Sequence, residues 1–260
     1  MGVFSFLRRK TPEDYPELPE PLWRTASRDR PALLSLAPAD AALARRTASW
    51  FLETRDLRPM EGAAPRDGDL AILALLASLP VLRLGVRWYD DWKTVFLAPD
   101  GFVHTMTDVD GSGVVTEYDD ELSGRVTELG PILLSLPDIR ESGLGDGYNV
   151  VIHELAHKLD ERDGELDGCP PLPRSIPSRR WTEVFSAAYE DFTTRAGAGR
   201  RRGRRRSSRL PLDEYAAESP DEFFAVACEH FFDTPRRLRD AYPDMYGLLA
   251  AFFGYDTLGV

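Results

Sequence analysis

Several things are scarce in this chain of 260 residues, and each scarcity narrows its class. Cysteine occurs twice, at Cys169 and Cys228, too few for a disulfide framework. A reduced, cytoplasmic protein with two ordinary thiols is the expectation. No apolar run approaches the ~20 residues that a membrane-spanning helix needs, so no membrane partner is expected. The opening MGVFSFLRRK puts a short apolar stretch ahead of its positive charges, the reverse of a secretory leader. Phe6 stands where a myristoylation signal wants Ser or Thr. Histidine is rare as well: His104, His153, His157 and His230 are the full set.

What is present is enough for a substantial core. Hydrophobic residues make up 43% and aromatics 10%. The 43 acidic residues outweigh the 32 basic ones, giving −11 at pH 7. The balance is uneven, because RAGAGRRRGRRRSSR at 195–209 holds eight arginines and no acid, leaving −19 on the remainder. So acidic a body is a poor general binder of nucleic acid, whose affinity comes from phosphate neutralisation. The arginine run has no aromatic residue to stack a base and reads as a solvated loop, placed where it could border a cleft and favour acidic peptides.

Residues 1–30, rich in Pro and charge, read as a flexible N-terminal arm, and 31–255 as one domain. A helix is expected over Ala41–Asp56 with Asp40 as N-cap, and another over Asp67–Leu79, stopped by Pro80. Val81–Tyr89 and Thr94–Leu97 read as strands joined by an Asp90-Asp91 turn, followed by Phe102–Met106, Val114–Tyr118 and Pro131–Leu136. Helices return at about 148–162, 179–195, 220–233 and 243–253. The class is α+β: N-terminal helices, a small, mostly antiparallel sheet, and C-terminal helices.

The chemistry is concentrated in NVVIHELAHKLD. His153 and His157 are four apart, about 40° apart around a helix, so both imidazoles can reach one metal ion. Glu154 lies about 100° around from His153, where such helices place a general base. Val151, Ile152, Leu155, Ala156 and Leu159 make this a buried helix, with Lys158 as its exposed exception. A catalytic zinc needs a third protein ligand. Glu218, Glu222, Glu229, His230 and His104 are the candidates. Glu222 and Glu229 are seven apart on one face of a helix. Ser219, Pro220 and Glu222 also spell a capping box, so local sequence leaves Glu222 open between ligand and cap.

Two long segments carry a resemblance. NVVIHELAHKLDERDG and DEYAAESPDEFFAVACEHFFDTP, with LPVLRLGVRWYDDWKTVFLAPDGFV and GPILLSLPDIRESG, resemble the zinc-dependent peptidases of the Mlc titration factor A type, over roughly 40–255. The resemblance implies a zincin-like fold related to the catalytic domain of anthrax lethal factor, a gluzincin. It implies one Zn²⁺ per chain, held by His153, His157 and Glu222. Glu154 is then the general base and Tyr215 the stabiliser of the oxyanion. The implied activity is aminopeptidase-like hydrolysis of short peptides. The alternative is a regulatory protein that sequesters a transcriptional repressor and needs no catalysis. Around this site, Asn149 and Asp160 could orient the histidines or serve as caps. Glu229 is a second layer or an ordinary helix residue, and His104 is structural. Cys169 reads as a loop thiol, while Cys228, Phe223, Phe224, Phe231 and Phe232 read as core.

Overall fold

A computed structural model describes residues 10–100, 130–200 and 210–259. Its spine is one apolar helix. Between Asp67 and Leu84 the chain has almost no polar residue, and the helix it forms, with Ala71–Leu82 buried on every side, is the centre of the core. Pro80 does not stop it. Hydroxyls bond to carbonyls around the proline: Ser78 Oγ donates to the Leu75 carbonyl (2.6 Å) and Tyr89 OH to that of Ala77 (2.9 Å). The helix runs on until Gly85, whose φ of 86° turns the chain out.

The helices are α1 (Glu20–Ser27), α2 (Pro31–Leu34), α3 (Pro38–Thr54), α4 (Asp67–Leu84), α5 (Leu136–Glu141), α6 (Val150–Asp160), α7 (Ser178–Arg200), α8 (Pro220–Asp233), α9 (Pro235–Ala241) and α10 (Pro243–Phe253). The strands are β1 (Asp56–Pro59), β2 (Thr94–Ala98) and β3 (Ile132–Ser135). They form one sheet in the order β1-β2-β3, and both pairs are parallel. The α+β class holds, and the antiparallel expectation is corrected. Val81–Leu84 ends α4, and Val86–Tyr89 is a 3₁₀ turn, so Asp90-Asp91 joins a turn to β2 rather than strand to strand. The chain returns from β1 to β2 through α4, the kind of crossover a parallel pair requires. Val95 pairs with Ile132 and Leu97 with Leu134, all four side chains buried against the helices. The strands expected at Phe102–Met106 and Val114–Tyr118, and His104 with them, lie outside the described residues.

The N-terminal arm is also corrected from residue 10 onward. Tyr15 and Leu18 are core residues, and the Arg45 guanidinium holds the Leu18 carbonyl at 2.6 and 3.0 Å. Helix α1 packs on α4, as does α3. Asp40 does not cap α3, which begins at Pro38 behind Ala37. Buried Arg30 donates to the carbonyls of Ala26, Arg140 and Ser142 at 2.7–3.1 Å, tying the arm to the segment that leads into α6.

The C-terminal helices enclose an aromatic cluster. Trp181 stacks on Phe185 (4.3 Å between centroids) and meets Phe224 and Phe252, while Phe231 stacks on Phe253. Phe223 and Phe232 are buried too, as is Cys228, and both cysteines are free thiols. The arginine run begins as helix rather than loop: Arg195 sits in α7 and pairs with Asp191 at 2.9 Å. Residues 201–209 lie outside the described residues.

Candidate metal centre

Helix α6 starts where Asn149, fully buried, accepts a hydrogen bond from the Ile152 amide (3.2 Å). Val151, Ile152, Leu155 and Leu159 seat one side of it in the core. His153 and His157 then project from the same side one turn apart, rings 4.9 Å apart and nearly perpendicular. Helix α8 packs across α6. Ser219 caps α8 by accepting from the Glu222 amide (3.4 Å), while the Glu222 carboxylate turns to the histidines.

Glu222 Oε2 lies 2.9 Å from His153 Nε2 and 3.5 Å from His157 Nε2, and the two imidazole nitrogens are 3.2 Å apart. His153, His157 and Glu222 can therefore each offer one ligand atom within 4.8 Å of the others, the metal-capable group found among the described residues. Its donor set fits a divalent cation. Glu222 Oε2 is buried, and no donor among the described residues is properly aimed at it, despite the nearness of His153. Two neutral imidazoles and a carboxylate are the ligand types zinc takes in catalytic sites. The electrostatics also call for positive charge. Burial works against a charged His153, yet Glu222 and Glu229 push it up to about 10. Burial would raise Glu222, and the two histidines instead hold it well below the usual carboxylate range.

Tyr215 and Glu154 complete the cluster. Asp213 caps a short turn, Glu214–Ala217, by accepting from the Tyr215 amide. That turn presents the Tyr215 hydroxyl to Glu222 Oε1 at 3.0 Å, with its ring 5.9 Å from that of His153. Burial and neighbouring Glu222 raise the tyrosine, so the phenol stays protonated and able to donate. The half-buried Glu154 is near enough that its charge raises both Tyr215 and His153.

The other sequence candidates separate cleanly. Glu218 is exposed. His230 is buried, hydrogen-bonds through Nδ1 to the Thr234 hydroxyl, and is lowered by burial to about 4. Glu229 stands behind His153 with Oε1 2.8 Å from Nδ1. Lys158, expected to be exposed, is buried and paired with Glu161 at 2.7 Å. Asp160 is fully buried, and burial pushes it up to about 7. It accepts from the Gly168 amide (2.8 Å), and Trp181 Nε1 donates to the Gly168 carbonyl (3.0 Å). Gly168 has φ of 80° and lies so close to α8 that a Cβ there would sit 2.6 Å from the Pro220 carbonyl oxygen. Asp160 thus steadies the loop against the start of α8 rather than touching a histidine.

Sequence reasoning missed Asp233. It accepts from the amides of Gly145 (3.0 Å) and Gly147 (2.6 Å), bracing the loop that feeds α6. Gly147 is required there, since a Cβ would lie 2.4 Å from the His230 ring. The glycines of GLGDG were the available signal: they mark a backbone under constraint without saying what constrains it.

Two histidines one turn apart on a buried helix and a glutamate from a second helix make a donor set of the kind metallopeptidases use. The glucose-regulated metallo-peptidase M90 family matches residues 4–254, and the chain belongs to that family. It is similar to proteins named Mlc titration factor A. The one from Escherichia fergusonii is 33% identical over 248 residues, covering 95% of this chain and 90% of the relative. That of Edwardsiella ictaluri is 37% identical over 190 residues, covering 72% and 70%. That of Yersinia enterocolitica is 34% identical over 239 residues, covering 91% and 86%.

Proposed function

We propose that this chain is a zinc-dependent peptidase that hydrolyses short peptides from their amino ends. The observation that carries the reading is the convergence of His153 Nε2, His157 Nε2 and Glu222 Oε2, with Tyr215 on the other Glu222 oxygen. His153, His157 and Glu222 would hold one Zn²⁺, which when bound supplies Lewis acidity that activates a water and polarises the scissile carbonyl. Glu154 removes the proton of the attacking water and returns it to the leaving amine. Tyr215 exchanges its Glu222 partner for the substrate carbonyl oxygen and donates to it as negative charge builds. The two free thiols agree with a cytoplasmic location. Among the described residues no helix is long and apolar enough to cross a membrane.

The names of the relatives favour a second reading: a regulatory protein that binds a transcriptional regulator. It needs no turnover and can coexist with the first.

Zinc per chain by elemental mass spectrometry, beside turnover of unblocked and N-terminally blocked short peptides, tests both. Wild type and Glu154→Gln should hold about one zinc, and Glu222→Gln little. Glu154→Gln should lose about 10²- to 10⁴-fold in turnover. Full activity in Glu154→Gln overturns the mechanism, and cleavage of blocked peptides overturns the aminopeptidase preference. A wild type that takes up no zinc on reconstitution leaves the regulatory reading standing.

A further inference from the structure

We infer that Glu229 is a positioning residue that fixes His153 for metal binding, an inference that rests on the zinc-site reading above. The two oxygens of its buried carboxylate have separate duties. Oε1 lies 2.8 Å from His153 Nδ1, and Oε2 accepts from the Asn149 amide at 2.5 Å. A carboxylate is an acceptor only, so the bond to His153 requires the proton on Nδ1. In the neutral ring that takes a metal, that choice leaves the lone pair on Nε2, the nitrogen that faces His157 Nε2 and Glu222 Oε2. The bond to Asn149 fixes the first turn of α6, the helix that carries both histidines. One side chain therefore sets the tautomer of a ligand and the placement of its backbone.

The placement follows from helix geometry. Glu222, Glu229 and Asp233 are spaced by seven and four residues, so they fall within about 20° of one line along α8. Helix α8 thus supplies a ligand, a support for a second ligand, and the clamp on Gly145 and Gly147 from one face. The support is given to one histidine: His157 Nδ1 is buried with no partner among the described residues. Glu229→Gln keeps the shape of the side chain but has one acceptor oxygen for two N–H donors, and its amide NH₂ must face the other.

The test is zinc affinity of the full-length chain by competition with a chelator, for wild type, Glu229→Gln and Asp233→Asn. Asp233→Asn alters the same face of α8 but touches no histidine, so it reports general loosening. Glu229→Gln should bind zinc about 10- to 100-fold more weakly, with Asp233→Asn within about threefold of wild type. Equal affinity in Glu229→Gln and wild type overturns the inference, as does an equal loss in both variants. Nitrogen NMR of the His153 ring in the zinc-loaded wild type needs no variant. A proton on Nδ1 is expected, and a proton on Nε2 overturns the inference. A wild type that binds no zinc overturns this inference and the zinc-site reading together, whereas the other outcomes strike this one alone.

Discussion

Helix α4 and the α6–α8 pair are both buried, and they are buried on opposite terms. Along α4 the chain offers Leu, Ile, Ala and Val in every direction, and charge is confined to the ends, at Asp67, Asp69 and Arg83. Its stability comes from apolar area removed from water, about 25 cal/mol per Å². Along α6 and α8 the buried set includes His153, Lys158, Asp160, Glu229, His230 and Asp233. Burying such groups is unfavourable unless each meets a partner, and each of these does. Residues in α4 can be exchanged for others of like volume. Those of α6 and α8 are specified by their partners, and removing one leaves another unsatisfied.

The largest effect expected from breaking α4 is on stability alone. Leu75 is fully buried, so Leu75→Ala should cost about 2–5 kcal/mol, read from urea unfolding. Zinc per folded chain should not change. Parallel loss of zinc would mean that the two regions share one cooperative support, and the contrast between them would dissolve.

A second effect belongs to the polar pair. His230 is held neutral by burial and titrates at about 4 in the folded chain. Unfolded, it returns to about 6.5. Its folded value is depressed, so it contributes stability above pH 6.5 that is lost as pH falls toward 4. The shift corresponds to an upper bound of about 3 kcal/mol. Unfolding free energies at several pH values should fall less steeply over this window in His230→Asn than in wild type. Identical slopes would show that His230 titrates normally and that its burial against Gly147 is looser than the geometry describes.

Legibility in the sequence divides along the same line. His153 and His157 are spaced by the helix repeat and Glu154 adjoins His153 in the chain, so local sequence suffices to bring them together. Glu222 and Tyr215 come from other elements, and local spacing left Glu222 between two roles; the resemblance favoured the ligand role, and the fold brings both side chains beside the histidines. Glu229 and Asp233 were legible as residues of one helix face but not as partners, because the backbone amides that donate to them lie roughly eighty to ninety positions away. Of the C-terminal helices α6, α7, α8 and α10 were readable, and the short α9 was not. Neither was the parallel sheet: Pro80 reads as a stop, yet α4 runs on to Leu84, so Val81–Leu84 is helix where the sequence suggests strand. Strand β1, Asp-Leu-Arg-Pro, has no alternation to find and exists by pairing with β2. Helix α1 was hidden by the prolines around it, which here begin helices rather than prevent them.

The smallest expected effect sharpens the comparison at a single residue. At the start of α8, Ser219 satisfies the amide of Glu222 while the carboxylate of Glu222 faces the histidines. If cap and ligand are independent, Ser219→Ala removes only a hydrogen bond to a helix end, already long at 3.4 Å. The loss should be about 0.5–1 kcal/mol of stability, the low side of the range for N-caps. Zinc affinity should stay within about twofold, because the close packing of Gly168 on the start of α8 is untouched and Pro220 still fixes the first turn. A tenfold or greater fall in zinc affinity would show that the cap sets the aim of the ligand. In that case the backbone of α8, and not only its side chains, belongs to the polar half of the molecule.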